Sequence, residues 1–96
     1  MRIRILPSAV EDLARGRQFY EQQGQGLGNY FMDTLFSDIE SLALYAGIHR
    51  KIDQYHRLLS KRFPFGIYYQ VHSETVQVWR VLDLRQDPAK IKKSLK

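Results

Sequence analysis

From Lys61 to Pro88 the chain reads KRFPFGIYYQVHSETVQVWRVLDLRQDP, and its cations recur along its most apolar stretch. Arg57, Lys61, Arg80 and, just beyond the last apolar run, Arg85 are placed to project from one side of a sheet. Arg62 has the opposite parity from Lys61 and faces the other way on a straight strand. Guanidinium groups so arranged suit an anionic partner, because each presents a planar fork of donors to phosphate or carboxylate. Tyr55, Tyr68, Tyr69 and Trp79 lie among them and can stack on bases or fill a partner's groove, or else belong to the core. By alternation one of Tyr68 and Tyr69 points outward. Cleaving a phosphodiester needs a base, an acid and a cation. His56, His72, Glu74 and Asp83 are the acid–base groups near the apolar runs. His72 and Glu74 read as turn residues, which leaves Asp83 with Arg85 as the candidate catalytic pair.

Other chemistries are poorly served. His49, His56 and His72 have neither helical spacing nor a cysteine pair, so no metal site is expected. With no cysteine, disulfides and thiolate catalysis are excluded. The glycines of GQGLG (24–28) have no following lysine and join two helical patterns, so they form a turn rather than a phosphate cradle. No cofactor is implied.

The elements that position these residues follow from periodicity. RIRIL (2–6) alternates as a half-buried strand, with Ile3 on one face and Arg2 and Arg4 on the other. Ser8 and Glu11 have capping-box spacing at the start of a helix whose stripe is Val10, Leu13, Ala14 and Tyr20. After the turn, Leu27, Phe31, Leu35, Ile39, Leu42 and Ala46 predict one long helix over 27–46, closed by Gly47. The link is short, so the two helices form an antiparallel hairpin. Strands are expected at 54–60, 65–71 and 75–82, separated by Pro64 and by a turn at 72–75. Asp87-Pro88 offers an N-cap and a first-turn proline for a short basic helix, with Ile91 and Leu95 one turn apart. The predicted fold is α+β in the order β-α-α-β-β-β-α, with the helical hairpin packed on one face of a small, largely antiparallel sheet and the other face partly open.

At 96 residues the chain is read as one domain spanning 1–96, and its 44% hydrophobic content is enough for a single core. No apolar run reaches the roughly 18 residues of a membrane span. The start of the chain has no apolar region long enough for a signal peptide, and the cytoplasm is the expected compartment. A formal charge of +5 fits a polyanionic or acidic partner.

RFPFGIYYQV followed by VQVWRVLDLRQDP resembles the RelE/ParE superfamily of bacterial toxins from type II toxin–antitoxin systems. Its members carry an FPY-x-I-x-Y-x-V strand, a turn, a V-x-V-x-x-V strand and a closing L-H-G-R-R-D-P. Ala9 to Leu13 (AVEDL) and Tyr55 to Leu59 (YHRLL) extend the resemblance over nearly the whole chain. It implies a toxin neutralised by a cognate antitoxin, whose C-terminal segment covers apolar grooves and which alone touches operator DNA. RelE-like members cut mRNA on the ribosome and generally carry an arginine where this chain has Gly66. Their closing motif has histidine at the place of Asp83, glycine at Leu84 and a second arginine at Gln86, while Arg85, Asp87 and Pro88 persist. These departures favour the ParE-like branch, which inhibits DNA gyrase, arrests growth and stabilises plasmids. The alternatives are a ribosome-dependent mRNA interferase and an antitoxin-binding member without toxic activity. The expected target-facing set is Arg57, Arg80 and Arg85, assisted by Lys90, Lys92 and Lys93.

Overall fold

A computed structural model describes residues 1–96. The alternating start forms strand β1 (Arg2–Ile5), with its arginines exposed and its isoleucines half-buried. Helix α1 (Pro7–Gln23) follows directly. The expected Ser8–Glu11 capping box does not form, because Leu6 is the N-cap and no side chain caps the helix. Pro7, with no N–H to satisfy, occupies the first turn, and Ser8 is already inside the helix. Gly26 (φ 86°) makes the reversal to helix α2 (Leu27–Glu40). The Glu21 carboxylate accepts hydrogen bonds from the backbone N–H groups of Gly26 (3.1 Å) and Gly28 (2.9 Å). The first helix thus caps the second across the turn.

The single helix expected over 27–46 is interrupted. Ser41 donates its hydroxyl proton to the Asp38 carbonyl (2.6 Å), and a short helix α3 (Leu42–Tyr45) continues beyond it. Such back-bonding competes with the helical ladder. Gly47, at φ 94°, then ends the helical region as expected.

The strands are β2 (Lys51–Ile52), β3 (Tyr55–Leu59), β4 (Phe65–His72) and β5 (Thr75–Asp83). β2 was not anticipated; two residues are too few to show a period. The sheet order is β1-β5-β4-β3-β2. Only β1 pairs in parallel, with Ile3 opposite Val76 and Ile5 opposite Val78. Ser73 and Glu74 both have positive φ, at 48° and 64°, as a two-residue hairpin turn between twisted strands demands. The β4–β5 pairing slips between Tyr68 and Tyr69, which face Arg80 and Val78, so Trp79 is the extra residue of a bulge.

The α1–α2 hairpin covers one face of the sheet. Leu13, Phe31, Leu35 and Ile39 pack there against Phe65, Ile67, Tyr69, Val76, Val78 and Val81. The opposite face is not simply open. Helix α4 (Pro88–Ser94), with Asp87 accepting from the Ala89 N–H at 2.9 Å, runs back over it. Leu95, Leu82 and Tyr68 form a second apolar cluster under this helix. Tyr68 and Tyr69 do point to opposite faces, yet both are fully buried, which corrects the expectation that one is exposed. Leu59 and Trp79 remain at the surface. No helix is long and apolar enough to cross a membrane.

Candidate functional site

The residues singled out by sequence separate into four settings. Arg80, which the bulge places on the Tyr68 face of the sheet, reaches across to α1 and meets Asp12. Its Nε and Nη2 donate to the two carboxylate oxygens of Asp12 at 2.7 and 2.9 Å, and its Nη1 donates to the Ser94 carbonyl at 3.0 Å. Asp12 also accepts from the Val81 N–H (2.9 Å) and from Arg15 (2.8 Å). The hydrogen bonds of Asp12 hold Arg80 firmly in its charged form. The guanidinium fork is therefore engaged within the chain, tying α1, β5 and α4 together, and does not face outward with the other cations. Asp12 was missed by sequence reasoning, and its place in AVEDL carries no signal of a partner 68 residues away.

Asp83 and Arg85 do stand together, at the end of β5. Arg85 Nε and Nη2 contact Asp83 Oδ1 (3.0 Å) and Oδ2 (2.8 Å), and the Arg85 N–H bonds Oδ1 as well (2.9 Å). The Arg85 side-chain bonds, aided by its backbone N–H, hold the Asp83 carboxyl below its ordinary range despite partial burial. Arg85 also reaches the Tyr20 hydroxyl (3.4 Å) and lies over the Phe19 ring, 5.9 Å from its centroid. Its side chain is nonetheless 53% exposed, so it is fixed in place and still presented to a partner. A carboxylate whose pKa is lowered and whose oxygens are taken by Arg85 is a poor proton donor near neutral pH. The pair is suited to electrostatic recognition rather than acid–base chemistry.

Arg57, on β3, lies on the face that carries α4 and is directly opposite Tyr68. Its side chain forms no ion pair within the chain. Lys90, Lys92 and Lys93 lie exposed on α4, also without ion pairs. Of the expected target-facing cations, Arg57 and the α4 lysines are thus without ion pairs, and Arg85, paired with Asp83, stands at the end of β5.

The remaining acid–base candidates are committed elsewhere. The Tyr69 hydroxyl takes the Gly47 N–H (2.9 Å) and is hydrogen-bonded to His49 Nδ1. His56 stacks on the same ring, with centroids 5.2 Å apart, and bonds the His49 carbonyl through Nδ1 (2.7 Å). Burial, with His56 close by, lowers the pKa of His49. This cluster pins the loop after α3 to β4. His72 contacts Gln70 at the hairpin tip (2.9 Å).

Where the helical hairpin meets the edge strand β1 runs an apolar groove of about 450 Å³, lined by Val10, Leu13, Ala14, Met32 and Phe36 with Ile5 of β1. Arg17 and Glu21 stand at its polar rim.

The family model described as "ParE toxin of type II toxin-antitoxin system, parDE" matches residues 3–88. No curated protein sequence matches the chain. Among solved structures, a chain of the "Chromosomal ParDE TA system from P. aeruginosa" superposes with a TM-score of 0.75 at 17% identity. The superposition covers 88% of this chain and 97% of that one, a likeness of fold.

Proposed function

Since the chain belongs to the ParE toxin family of type II toxin–antitoxin systems, we propose that it arrests growth by binding DNA gyrase and is silenced by a cognate antitoxin. The state of Asp83 supports this target over RNA. Its carboxylate is locked to Arg85 and held ionised, and Arg80 is consumed by Asp12 and Ser94. That leaves the would-be nuclease site without a mobile proton carrier beside a free cation, which costs orders of magnitude in the rate of phosphodiester cleavage. Gly66, where RelE-like members carry arginine, supports the same reading.

The presented cations suit an acidic surface of the target. Arg85, rigidified by Asp83 and Phe19, is the anchor, with Arg57 and the lysines at 90, 92 and 93 contributing long-range attraction. The antitoxin occupies the apolar groove along α1 and α2, where half-exposed Val10 and Phe36 would otherwise remain in water. The net charge of +5 favours fast capture by an acidic segment. Operator DNA is met only through the antitoxin, and the site of action is the cytoplasm.

Supercoiling by purified gyrase tests this reading. The intact chain should inhibit the enzyme, Arg85→Glu should lose inhibition while remaining folded, and Asp83→Asn should retain most of it. Ribosome-dependent mRNA cleavage with gyrase unaffected would overturn the reading.

A further inference from the structure

Between α4 and the sheet lies a second cavity, of about 430 Å³, remote in composition from the antitoxin groove. Leu84, Ile91 and Leu95 form its apolar wall, and Arg57, Lys92 and Asp53 reach it with charge. Tyr68 also lines it and is fully buried, yet its hydroxyl has no hydrogen-bond partner in the protein. Burying a hydroxyl unpaired is costly, so such a group marks a place where a partner belongs.

Arg57 supplies the second, independent feature. As the cross-strand neighbour of Tyr68 it stands on the same face of the sheet. Its stem rests on Gly66, where an added Cβ would lie 3.2 Å from Arg57 Cγ and Cδ and 3.2 Å from Leu84. The glycine thus makes room for the arginine to lie flat, stem buried and fork unpaired. Asp53, the one carboxylate lining the cavity, forms no ion pair with Arg57 or Lys92.

We propose that this cavity binds a small ligand with an apolar body and an oxyanion head, carboxylate or phosphate, received by the Arg57 fork and the Tyr68 hydroxyl. The fork matches either head bidentately, the hydroxyl donates a further bond, and Lys92 adds attraction from the rim. Leu84, Ile91 and Leu95 take the apolar body, and the volume fits a molecule of that kind. The site shares Arg57 and Lys92 with the proposed target-facing set but neither the antitoxin groove nor Arg85, and a binding titration reads it apart from gyrase inhibition.

The test is a titration of the full chain, followed by NMR, with phenyl phosphate, benzoate and inorganic phosphate. Saturable binding of one of the two aromatic anions is expected, with shifts centred on Tyr68, Leu84 and Ile91. The tighter of the two identifies the head group. Tyr68→Phe should weaken binding about tenfold without lowering the melting temperature, since it removes an unpaired buried hydroxyl. Should that variant fail to fold, Arg57→Gln carries the test with the same expected loss. The proposal is overturned if inorganic phosphate binds as tightly as phenyl phosphate, or if shifts spread evenly over Arg85, Lys90 and Lys93. Unchanged affinity in the folded variant, or absence of saturable binding, overturns it equally.

Discussion

The clearest division at the scale of single residues is between arginines that hold the fold and arginines offered to a partner. Arg80 belongs to the first kind: Asp12, 4% exposed at its side chain, depends on it for two hydrogen bonds. Arg80→Gln should therefore lower stability by about 2–4 kcal/mol, because a buried carboxylate loses its main partner. Urea unfolding measures this, and a loss under about 0.5 kcal/mol, the range of an ordinary surface change, would contradict the tether. Arg85 is of the second kind, and its reversal should cost function rather than fold. His49 gives a pH signature. Burial lowers its folded pKa below the unfolded value of about 6.5. The unfolded chain then binds more protons between the two pKa values. The stability held by the neutral imidazole is complete above the unfolded pKa and is lost as pH falls through the folded one. Thermal melts of the intact chain should fall on acidification from pH 7 to 5, and His49→Gln should flatten that slope.

What the elements do depends on close approaches that local pattern only partly reveals. The β4–β5 hairpin was legible because Ile67, Tyr69, Val76 and Val78 alternate with other residues and a polar turn lies between them. The bulge at Trp79 was not legible, since no local residue signals it, and it shifts Arg80 out of phase with Val78, onto the face of Tyr68. The α1 cap was misread because Ser8 and Glu11 have the right spacing while Pro7, one residue earlier, already starts the helix. The Ile91–Leu95 spacing showed a helix with an apolar edge, but nothing local tells that this edge covers Tyr68. Gly16 shows how tight the helical hairpin is: a Cβ there would sit 2.5 Å from the Phe31 ring. Gly16→Ala gains helix propensity of about 1 kcal/mol but forces the buried ring aside at about 1–3 kcal/mol. A net loss of stability is expected in denaturant unfolding, and an equal or higher midpoint would show that the hairpin can spread without cost.

For the molecule as a whole, the proposed reading divides the work between two surfaces. The apolar groove on the helical hairpin is assigned to the antitoxin, and the cationic side, from α4 to the end of β5, to the target. Ala14→Arg, placed in the groove, should weaken antitoxin capture by about tenfold or more while leaving toxicity intact, as read by growth during co-expression and by calorimetry of the complex. The family and the fold were readable from the order and spacing of the strands. The proposed target was less so, because it rests in part on whether Arg80 is free, and the partners of Arg80, Asp12 and Ser94, come from elsewhere in the fold. Pulse labelling after induction of this chain alone, following thymidine and methionine incorporation side by side, tests the gyrase assignment most directly. Thymidine incorporation should stop first, with methionine incorporation persisting. If methionine incorporation stops first, translation is the target and the gyrase assignment is contradicted.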